Sequence, residues 1–286
     1  MTPPCPRCRR LAPLRLRVRG HAIHRCDACD LEFVSPTPSP AELTAVYTTG
    51  YFQGDGAGYR DYFRREREQV ARKSHDRLAA LRALGVTSGR LFDLGCAAGY
   101  FLGHARDAGF TVAGAEPSAE ALAAMDPTLR AAVVPSLDAL AAEARFEVIT
   151  AWDVLEHLPD PDAAVRALRA RLTPDGVLAV VVPVLGSTTT RLFPSRWDQY
   201  KPPEHLWFWS PRSLRALLAD HGLSVVREDI AWRRPARFID LDGTSRSPAV
   251  RLARSLDALA HRALAAVVGP HVVTDSVAFY ARVARP

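Results

Sequence analysis

The stretch LFDLGCAAGYFL, residues Leu91–Leu102, decides the fold of this chain. Its apolar start predicts a buried strand, its small residues predict a tight turn, and a helical pattern follows the turn. Strand, turn and helix in this order are typical of a nucleotide-binding site, because a turn without large side chains lets the backbone approach a ligand. Which nucleotide binds depends on Asp93, the carboxylate at the mouth of the strand.

Asp93 argues against a dinucleotide. A carboxylate beside the turn would repel the pyrophosphate at a cost of several kcal/mol in a partly buried crevice. S-adenosylmethionine carries no phosphate, and its ammonium and sulfonium groups are attracted to a carboxylate. Glu116 ends the next predicted strand, where it can accept hydrogen bonds from both ribose hydroxyls. The sequence therefore predicts S-adenosylmethionine as cofactor, with its methionine part approached closely by the backbone at Gly95, Ala97 and Gly99.

Strand and helix patterns alternate outward from this turn. The predicted strands are RLFDL, TVAGAE, AAVVP, FEVITAW and GVLAVVVP, and the helices are GYFLGHARDAG, SAEALAAM, SLDALAAEA and DPDAAVRALRARL. Ser118 and Asp160 predict helix starts, and Thr173–Gly176 predicts a turn. LSVVREDI adds a sixth strand and SVAFYARVAR a last, antiparallel one. The series predicts an α/β fold with a Rossmann-like, doubly wound, seven-stranded sheet and a ligand crevice at the carboxyl ends of its strands.

Two C-x-x-C pairs near the N-terminus predict a zinc ribbon. Four thiolates at this spacing suit tetrahedral zinc, and no coordination position stays open for chemistry, so the metal is structural. The alternation over Leu14–Arg19 predicts a hairpin, with Gly20–His21 as its turn. His21 and His24 are interpreted as solvent-facing residues rather than ligands. The predicted zinc ligands are Cys5, Cys8, Cys26 and Cys29.

These patterns divide the chain into three parts. Residues 1–40 hold the ribbon and the Pro-rich linker SPTPSP, and residues 41–85 form a helical, aromatic-rich cap with a glycine-rich loop between two helices. Residues 86–286 form the cofactor-binding domain, with a substrate-facing insertion at about 186–210. An amphipathic Arg/Ala/Leu helix is predicted over Pro248–Val268, where it covers the pocket, contacts a second copy or packs on its own domain.

The segments DLGCAAG, AEPS, AWDVLEHLPDP and LTPDGVLAVVVP resemble the class I S-adenosylmethionine-dependent methyltransferases, in particular the branch with ubiquinone-biosynthesis-type O-methyltransferases. The resemblance covers roughly residues 86–230, and Ala97 departs from the glycine of the commonest form. It implies contacts with the methionine part, the ribose, the adenine and the sulfonium. Core packing is the alternative role of Trp152. The implied cofactor-binding residues are Asp93, Gly95, Ala97, Gly99, Glu116, Pro117, Ser136, Leu137, Ala151, Trp152 and Tyr51.

Two histidines are candidate catalytic bases, because imidazole titrates near neutral pH. His157 lies in DVLEHL, just past the fourth strand, and His205 lies in KPPEHLWFWSP. A structural role is the alternative for His157. The insertion around His205 is dense in aromatic residues, which predict a pocket for a flat or lipophilic acceptor; the alternative is that the rings pack on one another. These residues are Phe193, Trp197, Tyr200, Trp207, Phe208 and Trp209.

Composition separates the candidate functions only in part. The 286 residues carry a net charge of +6, which makes a polyanionic partner worth testing, although the arginines are scattered. We find no apolar run long enough for a membrane span and no signal region, and so expect a cytoplasmic protein without disulfides. The first hypothesis is a biosynthetic methyltransferase that methylates an oxygen atom of a small molecule. Two alternatives are enzymes: an RNA methyltransferase that docks its substrate on the ribbon arginines, and a sugar C-methyltransferase. A third is a non-catalytic protein that interacts with partners through the ribbon and whose methyltransferase fold is vestigial.

Overall fold

A computed structural model of the chain describes residues 2–46, 51–52, 62–63, 67–187, 190, 197–231, 267 and 274–284. The strands are β1 Leu14–Val18, β2 His21–Cys26, β3 Leu31–Val34, β4 Gly89–Leu94, β5 Phe110–Ala115, β6 Val133–Val134, β7 Phe146–Trp152, β8 Leu172–Pro183, β9 Trp207–Trp209, β10 Leu223–Ile230 and β11 Ser276–Val283. The helices are α1 Pro40–Val46, α2 Arg67–Ala83, α3 Tyr100–Asp107, α4 Ala119–Ala124, α5 Pro127–Arg130, α6 Pro161–Arg171 and α7 Pro211–Asp220. In these residues, no helix is both long enough and apolar enough to cross a membrane.

The main sheet has seven strands in the order β10-β11-β8-β7-β4-β5-β6. The five strands from β8 to β6 in this order run parallel, and β11 is antiparallel to both of its neighbours. The predicted Rossmann-like, doubly wound fold is therefore confirmed. The strand order reverses between β4 and β7, and this switch point opens a crevice at their carboxyl ends, beyond Leu94 and Trp152.

The core lies in the central strands of this sheet. The residues from Val177 to Val184 are all buried, as expected for a strand that is covered on both faces. The two predicted helix starts are confirmed: the Ser118 side chain accepts a hydrogen bond from the Ala121 N–H, and the Asp160 side chain accepts one from the Ala163 N–H.

Two local predictions are wrong. Thr173–Gly176 is not a turn between elements, because Leu172 already pairs with Phe146; the four residues form an irregular stretch of β8 before pairing resumes at Val177. The predicted helix SLDALAAEA is only a one-turn 3-10 helix at Leu137–Ala139. Most of its residues are exposed, so it has too little apolar surface to stabilise a longer helix.

The second sheet has four strands in the order β1-β2-β3-β9. Its first hairpin turns at Arg19 and Gly20, one residue earlier than predicted, and both have the positive φ that a two-residue hairpin turn requires. Strand β9 comes from the predicted insertion and pairs with β3, where Leu31 lies opposite Trp209. Trp209 also bridges to Val184, just after β8, so that β9 joins the ribbon to the main sheet.

Some predictions fall outside the described residues, namely the glycine-rich loop of the cap, Phe193, and the helix over Pro248–Val268 apart from Val267. The division at residues 40 and 85 stays a proposal. Within it, a strand from the third part completes the sheet of the first part.

Gly114 in β5 is expected not to tolerate a side chain. A Cβ there would lie 2.9 Å from Cys96 Sγ and 3.1 Å from the Asp93 carbonyl oxygen, which belongs to the backbone of β4 and cannot move freely. Gly114→Ala should lower the free energy of unfolding by about 1–3 kcal/mol, measured by urea denaturation. Gly103→Ala is the control, because its Cβ would be 3.7 Å from Leu129 Cδ1 in a helix, and it should raise stability by about 0.5–1 kcal/mol. Equal effects of the two changes would contradict this account.

Candidate functional site

The turn between β4 and α3 has an unusual backbone. Gly95, Ala97 and Gly99 have φ angles of 69°, 46° and 72°, in the left-handed region. A Cβ on Gly95 would lie 2.7 Å from Val154 Cγ2, so both conformation and space require glycine there. Ala97 adopts the same region at a cost of about 1 kcal/mol, and its N–H donates to Glu116 Oε2 over 2.8 Å. The departure at Ala97 therefore strains the backbone more than it narrows the turn.

Asp93 is the second-last residue of β4, just before this turn, and it is 2% exposed. The Thr150 hydroxyl donates to Asp93 Oδ1 over 2.5 Å. Burial raises the pKa of Asp93 to about 7, although the Thr150 hydrogen bond and the positive charge of Arg77 act in the opposite direction. The carboxylate is thus poised to titrate near neutrality, and a cationic ligand beside it would favour its charged form.

Glu116 follows β5 and is also buried. Its two carboxylate oxygens accept hydrogen bonds from the N–H groups of Ala97 and Ser118, both over 2.8 Å. Burial raises its pKa, and these two hydrogen bonds lower it. Each oxygen keeps a further lone pair, so the carboxylate can hold the turn and still accept from a ligand hydroxyl.

The structure adds Arg77, which the sequence analysis missed. It lies on α2 and is buried, with its guanidinium carbon 4.1 Å from the ring centroid of Trp152 and 5.9 Å from that of Phe101. Burial lowers the pKa of Arg77, and the carboxylates of Asp153 and Asp93 oppose this. No carboxylate of the described residues lies within 4 Å of it, which leaves a buried cation at the crevice for an anionic group. In the sequence it stands among the other charges of α2 and gives no distinguishing signal.

The other predicted cofactor residues differ in how far they are buried. Ala151 is fully buried in β7, whereas Trp152 is partly buried and packs edge-on against Phe101, at 5.3 Å between ring centroids. The Trp152 indole N–H is buried without a hydrogen-bond partner in the described part of the chain. Pro117 and Ser136 are exposed, and Leu137 is half-buried. Ala151 is thus part of the core. Trp152 packs against Phe101, and its indole N–H is a hydrogen-bond donor that no described residue uses.

Aromatic residues of the cap cover the turn. Phe52 and Tyr62 are buried together with Ala98, and their rings meet edge to face at 5.2 Å. Tyr62 stacks on Tyr100 at 5.8 Å, and the Tyr100 hydroxyl donates to the Phe63 carbonyl oxygen over 3.1 Å. The cap therefore shields the start of α3 from solvent.

His157 and His205, the two candidate bases, are brought together. Their ring centroids lie 4.7 Å apart at an interplanar angle of 87°. Nδ1 of His157 is 3.0 Å from the Glu204 carbonyl oxygen, and Nδ1 of His205 is 2.9 Å from that of Gln199. Because a carbonyl oxygen only accepts, each Nδ1 carries the hydrogen and each Nε2 offers a lone pair. Burial lowers the pKa of both histidines, and for His205 the neighbouring His157 lowers it further, so both are neutral at pH 7.

Carboxylates surround this pair. Tyr51, a predicted cofactor residue, is buried, and its hydroxyl donates to Glu204 Oε1 over 2.9 Å. Glu156 is fully buried, and its carboxylate oxygens have no hydrogen-bond partner among the described residues. Burial, together with the negative charge of Asp153, raises the pKa of Glu156 well above its usual value. Ligand atoms of Glu156, His157 and His205 lie within 4.8 Å of one another, a spacing that a cation could also occupy.

The four predicted zinc ligands converge in the ribbon. Their sulfur atoms lie within 4.8 Å of one another, and Cys8 Sγ is 3.5 Å from Cys26 Sγ. A hydrogen bond from the Arg10 backbone lowers the pKa of Cys8 to about 7, whereas burial raises that of Cys26. No histidine belongs to this group. His24 is buried, not solvent-facing as predicted, and its Nδ1 lies 3.0 Å from the Ala12 carbonyl oxygen.

The aromatic residues of the insertion join the two sheets rather than line an open pocket. Trp197, Tyr200 and Phe208 are buried in one cluster with Ile23 and Val34 of the ribbon. Trp209 is buried beneath the partly buried Trp207, whose ring stacks on it at 5.7 Å. Of the two interpretations of these rings, packing on one another is confirmed for the described members.

A family model described as a methyltransferase domain matches residues 63–228, more than half of the chain. A ubiquinone biosynthesis O-methyltransferase of Xanthomonas euvesicatoria pv. vesicatoria is 34% identical over 124 residues, which cover 37% of this chain and 49% of the relative. Its counterpart from Ralstonia nicotianae is 36% identical over 95 residues, covering 30% and 40%. The matches thus span half or less of the length of these curated relatives.

Two solved structures share the fold. A 1,6-didemethyltoxoflavin-N1-methyltransferase of Burkholderia thailandensis, with bound 1,6-didemethyltoxoflavin and S-adenosylhomocysteine, has a TM-score of 0.52 at 18% identity, covering 96% of this chain and 100% of that one. Magnesium protoporphyrin IX methyltransferase of Synechocystis has a TM-score of 0.53 at 15% identity, covering 84% and 97%. At these identities the likeness extends to the fold alone.

The raised pKa of Asp93 predicts a pH-dependent affinity for S-adenosylmethionine. A cationic ligand binds the charged carboxylate, so affinity is lost as the pH falls through about 7. From pH 7 to 5.5 the Kd should rise about 15-fold, measured by titration calorimetry, while the amino group of the cofactor stays charged. Asp93→Asn is the control, which should bind weakly at both pH values. An equally steep slope in that variant would show that other groups cause the effect.

Proposed function

The chain belongs to the methyltransferase-domain family, and from this we propose that it is an S-adenosylmethionine-dependent methyltransferase that methylates a hydroxyl group of a small-molecule acceptor. One arrangement carries the proposal: the buried carboxylates of Asp93 and Glu116 flank a left-handed glycine turn at the switch point of the sheet. This combination suits a cationic nucleoside without phosphates. The names of the curated relatives support oxygen as the methylated atom.

In this proposal each charged group of the crevice has a partner on the cofactor. Asp93 binds the ammonium, Arg77 binds the carboxylate of the methionine part, and Glu116 binds the ribose. Gly95 and Gly99 let the backbone approach, while Pro117, Ser136, Leu137, Ala151 and Trp152 flank the remainder. When bound, the cofactor supplies an activated methyl group on a sulfonium. The aromatic cap over the turn excludes water, which strengthens these charge interactions.

The histidine pair would remove the proton of the acceptor. Each Nδ1 is engaged by a backbone carbonyl, so Nε2 of His157 or His205 is the atom that takes the hydroxyl proton as the acceptor oxygen gains the methyl group. Burial keeps both imidazoles neutral and thus able to accept it. Because Glu204 and Tyr51 also lie here, these groups favour a polar, hydroxyl-bearing acceptor over one recognised only by apolar contact.

An RNA acceptor has weaker support. Of the ribbon arginines, Arg7 is engaged by Asp220, and Arg25 by three carboxylates. Arg15 lies 3.7 Å from Glu32, and the exposed residues Arg9, Arg10, Arg17 and Arg19 remain as phosphate contacts for such a substrate. The other alternative, a sugar C-methyltransferase, would give a product whose new methyl group is bonded to carbon and not to oxygen.

The experiment supplies methyl-labelled S-adenosylmethionine and an extract of the source cells to the purified protein. Label is expected in the small-molecule fraction, with the labelled atom an oxygen by mass analysis. His157→Ala and His205→Ala should each lower the rate about 10²- to 10⁴-fold and leave the Kd for S-adenosylmethionine unchanged, because they act on the acceptor proton. Label in RNA, or on carbon, would overturn the proposed acceptor class. Unchanged rates in both variants would remove the base.

We also propose structural zinc in the ribbon. Four thiols that converge within 4.8 Å, with no other ligand type among them, suit tetrahedral zinc. Metal analysis should find one zinc ion per chain, and Cys26→Ser should lose it together with several kcal/mol of stability. Cys96→Ser is the matched control, because Cys96 is a buried thiol outside the group. Equal zinc contents in the two variants would contradict the assignment.

A further inference from the structure

One buried carboxylate of the ribbon, that of Glu32, contacts the segment that contains the candidate base His205. Glu32 of β3 is 1% exposed. Arg25 Nη1 donates to its Oε1 over 2.9 Å, Arg15 Nε lies 3.7 Å away, and the Tyr200 hydroxyl donates to its Oε2. A buried carboxylate is unfavourable unless it is paired, so these partners explain why Glu32 can lie there. Only one of them, Tyr200, comes from outside the ribbon.

Tyr200 directly precedes the turn that runs from Lys201 to His205. The Lys201 carbonyl oxygen accepts hydrogen bonds from the N–H groups of Glu204 and His205, over 2.8 Å and 3.1 Å. The His205 ring in turn donates to the carbonyl oxygen of Gln199, directly before Tyr200. Moving the Tyr200 backbone would therefore move the group that orients the His205 imidazole.

The same segment has a second attachment to the ribbon. Leu206 accepts a hydrogen bond from the Val34 N–H of β3 over 2.9 Å and donates its own N–H to the Glu156 carbonyl oxygen over 2.8 Å. The Tyr200 ring packs between Trp197 and Phe208, at 4.9 Å and 4.8 Å between centroids. Backbone pairing and ring packing thus attach the segment to the ribbon, and the Tyr200 hydroxyl adds a hydrogen bond between side chains, to Glu32.

We propose that Glu32 and Tyr200 are positioning residues for methyl transfer: through their hydrogen bond, the ribbon holds the turn that orients His205 toward the acceptor. This inference rests on the proposed role of the histidine pair. It gives the ribbon a function within the active site, distinct from docking a substrate. The acceptor proton still goes to a histidine, and neither Glu32 nor Tyr200 touches the reacting atoms.

The test compares Tyr200→Phe, Glu32→Gln and the double variant with the wild-type protein. The acceptor in these assays is the small-molecule fraction of the cell extract that takes up label from S-adenosylmethionine. Each single variant should lower kcat about 10- to 100-fold, with KM for the acceptor and Kd for S-adenosylmethionine unchanged, because misorientation affects the reacting geometry and not ground-state binding. The double variant should be no slower than the slower single variant, since Tyr200→Phe removes the hydrogen bond and Glu32→Gln takes the charge from the same bond.

Asp27→Asn is the matched control. Asp27 is an exposed carboxylate of the ribbon that accepts a hydrogen bond from Arg25 Nε over 2.8 Å, so the variant removes a negative charge from a partner of the same arginine and leaves Tyr200 unchanged. It should retain wild-type kcat. A readout independent of turnover is the NMR signal of the His205 ring protons, recorded with S-adenosylhomocysteine added, which should shift in Tyr200→Phe and Glu32→Gln and stay in Asp27→Asn.

Two results would overturn the inference, and they differ in their consequence for His205 as the proposed base. If His205→Ala abolishes turnover while Tyr200→Phe and Glu32→Gln keep wild-type kcat and unshifted His205 signals, the proposed function stands and the positioning role fails. If His205→Ala retains full turnover, His205 is not the base, and the positioning role of Glu32 and Tyr200 fails with it, whereas the proposed function stands with His157 as the base. Additive losses in the double variant would also contradict a shared interaction.

Discussion

Strand β9, which consists of Trp207–Trp209, joins the ribbon to the main sheet. Its residues form hydrogen bonds with β3 of the ribbon, and Trp209 also meets Val184 at the end of β8. A segment the size of the ribbon buries too little apolar surface to be stable alone, and a sheet edge without a partner leaves polar backbone groups unpaired. Strand β9 meets both needs for the ribbon. Because His205 lies just before this strand, the pairing that stabilises the ribbon also sets the position of a candidate base.

The crevice concentrates charges that a soluble protein normally keeps in water. Asp93, Glu116 and Glu156 are buried acids with raised pKa values, and Arg77 is a buried cation with a lowered one. Such groups destabilise a fold, and proteins retain them where a ligand or a reaction requires them. Their clustering is therefore a physical sign of function. On the cofactor side the charges are of both signs and match a ligand with an amino acid end. On the histidine side, neutral imidazoles lie beside the carboxyl groups of Glu156 and Glu204, and this combination suits proton transfer.

The family match and the ribbon meet in space although they are separate in sequence. The matched residues 63–228 include β9 and both histidines, whereas the ribbon precedes them. Glu32 and the four cysteines therefore lie outside the part of the chain that resembles known methyltransferase domains, and yet Glu32 contacts Tyr200 within it. Under the proposed positioning role, the ribbon would affect methyl transfer through this one contact with Tyr200.

The sequence by itself determined the features that depend on neighbouring residues. The seven-stranded fold follows from the alternation of apolar and helical segments, the turn after Asp93 from its small residues, and the cysteine cluster from two short motifs, because each pattern is local. Only the tertiary structure decided the features that depend on distant contacts: the burial of Arg77 against Trp152, the pairing of β9 with β3, and the meeting of Glu32 with Tyr200. The aromatic residues around Tyr200 look the same in sequence whether they line a pocket or fill a core. Which surface covers them depends on long-range packing, and here the ribbon covers them.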